Sequence, residues 1–304
     1  MEHAHSLQRV LAQTGQVIVG KPEAIRLALC CLLARGHLLI EDQPGVGKTT
    51  LAHALARILG LEYQRIQFTS DLLPADILGV SIYDRADHSF HFHQGPVFTQ
   101  LLLADEINRA TPKAQSALLE AMEEQQVTAD GQTYDLPRPF FVVATQNPAT
   151  QVGTYPLPES QLDRFLLRIS LGYPDASAER ALLGGEDRRE LLQHLEPQLD
   201  PDQLTKLQYR AERIHCSPAL LDYVQALLQF SRNSGLWLQG LSPRAGLGLM
   251  RAARAWAMID ERLEVIPEDV QAVLPAVTGH RLKNHDGKTA MPSSQQLIES
   301  VPIP

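Results

Sequence analysis

Positive charge is in short supply in this sequence. It sets 27 Lys and Arg against 35 Asp and Glu, a net charge of −8 over 304 residues. With no run of Lys or Arg, that balance is a poor fit to nonspecific nucleic-acid binding, which needs clustered cations. Long apolar runs are missing too. No window reaches the roughly 18 apolar residues of a spanning helix, so no membrane insertion is expected. Cysteine is scarce: Cys30, Cys31 and Cys216 are odd in number and two are adjacent. That is no disulfide framework, and it suits a reducing, cytoplasmic setting. The opening MEHAHSLQRV has no basic stretch followed by an apolar one, and no secretory signal is expected from it. No internal repeat of fixed period stands out.

What is present is a chain with ample core-forming material, 44% hydrophobic, and a length that at roughly 150 residues per domain suggests two domains. Up to about residue 172, short apolar runs alternate with amphipathic stretches. The runs are HLLIE (37–41), YQRIQF (63–68), VFTQLLLAD (97–105), FFVVAT (140–145) and FLLRIS (165–170). Several are continuous in Val, Ile, Leu and Phe, the pattern of strands buried on both faces. Strands alternating with helices predict a parallel sheet covered on both sides. From about Asp175 the sequence turns polar, charged and helical. SPALLDYVQALLQFSRN and SPRAGLGLMRAARAWAMIDE each open on Ser-Pro, with the Ser, such as Ser242, a candidate N-cap and the Pro at the first helical position. The expected division is an α/β core over 1–195, a small all-α domain over 205–286, and a loose tail over 287–304, which holds Gly, Ser and three prolines.

HLLIE runs into Asp42-Gln43-Pro44-Gly45-Val46-Gly47-Lys48-Thr49. The phosphate-loop pattern is Gly, four residues, then Gly-Lys-Ser/Thr, and only its first position departs, Asp42 for Gly. A phosphate chain needs convergent backbone N–H groups, and glycines let the backbone approach it closely. Gln43, Pro44, Gly45, Val46, Gly47, Lys48, Thr49 and Thr50 are the candidate nucleotide-binding residues. Lys48 would meet the β- and γ-phosphates, and the Thr49 hydroxyl would ligate Mg²⁺. Leu51, Leu55, Ile58 and Leu59 then share one helical face, stopped by Gly60. The side chain of Asp42 either crowds the loop or points outward.

LLLADE (101–106) is an apolar strand ending in two acids. A metal-bound nucleotide needs one acid to position Mg²⁺ and its waters and another to take a proton from the attacking water. Asp105 suits the first task and Glu106 the second; the plain alternative is an acidic helix start. FFVVATQNP (140–148) ends in Thr145, Gln146 and Asn147. A neutral amide can orient the lytic water, and Asn147 is the candidate, although Asn-Pro also opens turns.

DQPGVGKT, LLADEINRATPKAQSALLEAMEE, ATQNP and LPESQLDRFLLRI, taken together, resemble the MoxR family of AAA+ ATPases over roughly residues 15–285. The resemblance implies a five-stranded parallel sheet with the Asn147 strand between the phosphate-loop strand and the acidic strand, followed by a helical lid. It implies six subunits in a ring with ATP and Mg²⁺ at the seams. The arginine of LDRF, Arg164, would be the finger that reaches a neighbour's nucleotide, with Arg168 a candidate companion. The alternative for Arg164 is an ion pair to Asp163 or Glu159. Arg244, in Ser242-Pro243-Arg244, matches the lid's sensor arginine and would contact phosphate of its own or an adjoining subunit. Val19 and Gly20 match the segment that frames adenine. Two insertions also fit: residues 69–95, placed within the second helix, and a β-hairpin over 126–136 turning at Asp130-Gly131. His88, His91 and His93 lie in the first; His91 and His93 share a strand face and are either metal ligands or part of a polar exposed strand.

What the resemblance implies about function is a chaperone that matures or activates protein partners, with a von Willebrand A-domain protein as partner. A nucleotide-gated scaffold that hydrolyses little, supported only by Asp42, and a chelatase-like motor subunit stay open as alternatives. A DNA-remodelling protein is disfavoured by the acidic balance.

Overall fold

The computed structural model describes residues 2–86, 88–147, 154–185, 187–283 and 293–303. The chain opens with α1 (Glu2–Val17) and α2 (Pro22–Leu33), then alternates β1 (His37–Glu41), α3 (Lys48–Ile58) and β2 (Tyr63–Gln67). α4 (Pro74–Leu78) leads into the hairpin β3 (Gly79–Asp84) and β4 (Ser89–Gln94). β5 (Leu101–Asp105) is followed by α5 (Pro112–Glu124), a second hairpin of β6 (Gln126–Ala129) and β7 (Gln132–Asp135), and β8 (Phe141–Gln146). α6 (Glu159–Leu162) precedes β9 (Phe165–Ile169). The remainder is helical: α7 (Ala176–Gly184), α8 (Arg188–His194), α9 (Pro201–Glu212), α10 (Pro218–Asn233), α11 (Pro243–Ile259), α12 (Pro267–Thr278) and α13 (Ser293–Ser300).

Five strands form one parallel sheet in the order β2-β5-β8-β1-β9. Each apolar run delivers alternate side chains to opposite faces. Leu38, Ile40, Leu101, Leu103 and Val143 join a core shared with α2, α3 and the helices after β9; Leu39, Leu102, Ala104, Val142 and Ala144 join a separate core with α5. The first core continues through Leu227, Leu249, Val270 and Leu274, so the lid is packed onto the core rather than tethered to it. Ser217 and Ser242 cap α10 and α11 by accepting the N–H groups of Leu220 and Ala245, as the Ser-Pro starts predict.

The tail departs from expectation. Residues 293–300 form α13, whose Leu297, like Val301 just beyond it, is buried against the helical domain. Composition counted the prolines and serines but not the apolar pair Leu297 and Val301, spaced one turn apart. Residues 284–292 lie outside the described residues.

The hairpin predicted at 126–136 is present, with Asp130 and Gly131 both at positive φ in its turn. The 69–95 insertion is α4 plus the β3–β4 hairpin, and the two hairpins meet where Phe92 stacks on Tyr134, ring centroids 4.4 Å apart. No helix among the described residues is long and apolar enough to cross a membrane.

His37 gives the fold a pH dependence. It opens β1 and is buried, with Nδ1 accepting the Val142 N–H at 3.0 Å and Nε2 within 3.2 Å of the Met122 carbonyl. Nδ1 must therefore stay unprotonated. Burial, first of all, lowers its pKa from 6.5 to about 4. Between those values the unfolded chain takes up a proton that the folded chain refuses. Stability is therefore full above pH 6.5 and lost as pH falls towards 4, by about 3 kcal/mol from this residue. Urea unfolding at pH 7 and pH 5 should show the loss, and His37→Gln should reduce it.

Candidate nucleotide site

The phosphate loop leaves the C-terminal end of β1 and enters α3. Gly45 (φ 85°) and Gly47 (φ 96°) are both in the left-handed region, where a side chain would be strained. Gln43, Pro44 and Gly45 are exposed, and Val46, Gly47, Thr49 and Thr50 half-buried, as expected of a loop whose backbone faces a ligand. Lys48 is buried, and its Nζ donates to the Asp42 carbonyl at 2.6 Å and to Asn147 Oδ1 at 3.1 Å.

Asp42 neither crowds the loop nor points into water. Its carboxylate turns to the end of β9, accepting from Leu171 N–H (2.6 Å), Gly172 N–H (2.6 Å), Ser170 Oγ (2.9 Å) and the Gln43 N–H (2.9 Å). Burial alone would raise its pKa, but the donors outweigh it and hold the pKa below the ordinary value. The support for the scaffold reading therefore falls away. Asp42→Ala leaves those donors bare, and should cost about 3 kcal/mol of stability on the scale of hydrogen bonds to charged groups. Asp42→Asn should cost less. Thermal melting of the two variants checks the ranking.

At the end of β5 the two acids diverge. Glu106 sits at φ 57°, an uncommon conformation for a side-chain-bearing residue, and the turn sends its carboxylate away from that of Asp105. Glu106 Oε1 accepts from the Asn147 amide at 2.9 Å, and Oε2 from Gln67 Nε2 at 2.9 Å and from Arg109 at 3.0 Å. A continuous chain thus runs Lys48, Asn147, Glu106. Its geometry follows from the strand order, since β8 lies between β1 and β5. Asp105 accepts from Thr145 Oγ1 at 2.6 Å, and its Oδ2 lies 3.5 Å from Thr49 Oγ1. These two oxygens are the hard donors that Mg²⁺ takes. A guanidinium also sits on Asp105 Oδ2, donated by Arg65 at 2.7 and 3.1 Å, so the position draws a cation.

Sequence reading missed Arg65, Gln67 and the bond made by Thr145. Arg65 and Gln67 alternate on the exposed face of an edge strand, and that i, i+2 polar pairing was the available signal. Pro148 lies outside the described residues.

A cleft of about 660 Å³ lies beside the loop, between the start of α2, the ends of β1 and β9, and α12 of the lid. Gly20 lines it, and Val19, one residue earlier, is half-buried. Arg168 lines this same cleft and pairs with Glu41 at 2.8 Å. It lies at the other end of β9 from Arg164, which sits just before the strand.

Arg164 precedes the first residue of β9, which pairs with the first residue of β1. The phosphate loop follows the last residue of β1. A five-residue strand spans about 16 Å, so Arg164 lies at the opposite edge of the sheet from its own Lys48. Its ion pair is to Glu123 at 2.9 Å, not to Asp163 or Glu159. Arg244 pairs with that same Glu123 at 2.5 Å. Arg164 and Arg244 are therefore together and both away from their own phosphate loop. The remaining candidates do not assemble: His88 bonds Tyr83 and His91 bonds Ser89. Among the described residues no three His, Cys, Asp or Glu are grouped to hold a metal. The histidines lie on an exposed hairpin, His91 and His93 opposite Ile82 and Val80.

A parallel sheet ordered this way, a glycine loop entering a helix, paired acids on the adjoining strand tip and a helical lid define a P-loop nucleotide-binding protein of the AAA+ class. The family model for ATPases associated with various cellular activities (AAA) matches residues 37–167, and the AAA lid domain matches 231–301. The chain is 42% identical to the chaperone MoxR1 of Mycobacterium tuberculosis, over 91% of this chain and 76% of that one. It is 42% identical to the uncharacterised YeaC of Bacillus subtilis (98% and 95%) and 36% identical to MoxR of Paracoccus denitrificans (92% and 89%). A solved structure of a presumed ATPase from Cytophaga hutchinsonii superposes with a TM-score of 0.89 at 34% identity, covering 99% of this chain and 96% of that one. The chain belongs to the MoxR family of AAA+ ATPases.

Proposed function

We propose that the protein hydrolyses ATP as a homo-oligomeric ring, hexameric as the family resemblance implies, and uses the cycle to remodel or activate protein partners. The observation that carries this reading is the split site: Lys48, Asn147 and Glu106 at one edge of the sheet, Arg164 and Arg244 at the other. Head-to-tail contact between copies brings the two edges together, and contacts of that kind close into rings.

In this reading Lys48 holds the β- and γ-phosphates. The Asn147 amide orients a water, and Glu106 takes its proton as the γ-phosphate is attacked. Thr49 and Asp105 would hold Mg²⁺, which when bound neutralises phosphate charge. Arg164 of the adjoining copy meets the charge that develops on the transferred group, with Arg244 beside it. Gly20 and Val19 frame the base. Client contact is assigned to the β3–β4 hairpin, where Val80, Ile82 and Phe90 are exposed apolar side chains. A separate von Willebrand A-domain protein is the proposed partner, and the cytoplasm, where the three free thiols stay reduced, the proposed location.

Phosphate release by the purified protein, measured as its concentration is raised, tests the reading. Turnover per subunit should climb as seams form. A rate independent of concentration in chains shown to be monomeric, or no turnover in assembled rings, would overturn it.

A further inference from the structure

At the N-terminal edge of the sheet lies a second polar cavity, about 170 Å³ in volume, into which Arg35, Arg164, Arg244, Arg251 and Arg281 all face. The carboxylates on its wall are Glu123 and Asp163. Glu123 is taken by Arg164 and Arg244 together, Asp163 by Arg281 at 2.7 Å, and Arg35 pairs outward with Glu212 at 3.0 Å. Arg251 is the one left over: among the described residues no carboxylate lies within ion-pair distance of it. Its side chain is exposed at the mouth of the cavity; partial desolvation, with Arg244 and Arg35 pushing the same way against the opposing pull of Cys31 and Glu212, lowers its pKa.

The placement of Arg251 is built in. Arg244, Gly248 and Arg251 follow at i, i+4 and i+7 on one face of α11. A Cβ on Gly248 would lie 2.9 Å from Leu166 Cδ1, so the bare glycine lets α11 settle on β9 and keeps the floor between the two arginines open. Three carboxylates, Glu123, Asp163 and Glu212, do not neutralise five guanidinium groups, and a further single carboxylate would still leave excess charge. A polyanion matches the surplus, and guanidinium forks match phosphate oxygens two at a time.

We infer that Arg251 is a third arginine presented to the phosphates of the nucleotide on the adjoining subunit, alongside Arg164 and Arg244. The inference rests on the shared-seam reading above and adds a residue to it.

Mixed rings test it. Lys48→Ala lacks the phosphate lysine but keeps every arginine; Arg251→Ala keeps the phosphate loop. Each alone should turn over slowly, Arg251→Ala by roughly 10–100-fold, the effect of losing a charge-assisted pair. Mixed one to one, seams that join an intact loop to an intact Arg251 should restore about a quarter of the wild-type rate. Arg164→Ala mixed with Lys48→Ala is the control. Recovery in the control but not with Arg251→Ala overturns this inference alone; recovery in neither overturns the shared seam and the inference with it. Arg251→Lys keeps the charge but loses the fork. It should raise KM for ATP and lower kcat several-fold at an unchanged melting temperature, and wild-type kinetics in this variant would equally overturn the assignment.

Discussion

Glu106→Gln should lower phosphate release by about three orders of magnitude while ATP binding stays near wild type, the range expected when a general base is removed. The amide keeps the shape of the carboxylate and still offers an oxygen to the Asn147 amide that now bonds Glu106 at 2.9 Å. What it loses is the ability to accept a proton from water. A thousandfold loss corresponds to about 4 kcal/mol of transition-state stabilisation. Binding should survive because in the proposed reading the phosphate contacts belong to the Gly45–Lys48 loop, on a different strand end. Steady-state phosphate release and equilibrium binding of a fluorescent ATP analogue separate the two effects. A variant that still turned over within tenfold of wild type would remove Glu106 from the base role. One that lost binding as well would show it to be part of the cradle.

Arg164→Ala should reduce turnover in the assembled ring by about 10³–10⁵, the span over which arginine fingers act. The effect should be absent from nucleotide binding by isolated subunits, because Arg164 lies a strand length from its own Lys48. In the isolated chain Glu123 holds both Arg164 and Arg244, so a neighbour's phosphates must compete with a carboxylate already in place. Arg164→Lys should recover little, since a point charge does not replace a two-pronged donor. Turnover and sedimentation measured together on the same samples decide the matter: an assembled Arg164→Ala ring with wild-type turnover is incompatible with the proposed seam.

Much of this site could be read before any coordinates. DQPGVGKT is a local device, its backbone freedom and its lysine both written within eight residues, and Asp105 and Glu106 announce themselves as acids ending an apolar strand. The strands, too, are short continuous runs of Leu, Val, Ile and Phe whose burial follows from their own chemistry. Asp42 is the counter-example. Its departure from the loop pattern suggested crowding or idleness, yet its partners are the backbone of residues 171–172, about 130 positions away. No local rule connects them. The same is true of Arg65 and Gln67, which read as ordinary edge-strand residues until β2 is laid beside β5.

Periodicity and motif spacing, which act over a few residues, were enough to establish an α/β nucleotide-binding core with a helical lid. Which end of the sheet each arginine occupies was decided only by tertiary structure. Arg164 lies just before β9 and Arg168 within it, four residues on, but the strands of a parallel sheet have two distinct ends. One arginine pairs with Glu123 at the start of β9, the other with Glu41 beside the cleft. Sequence fixes neither edge nor face, because both depend on where β1 and α11 come to rest against β9, and that is settled by the packing of side chains distant in the chain.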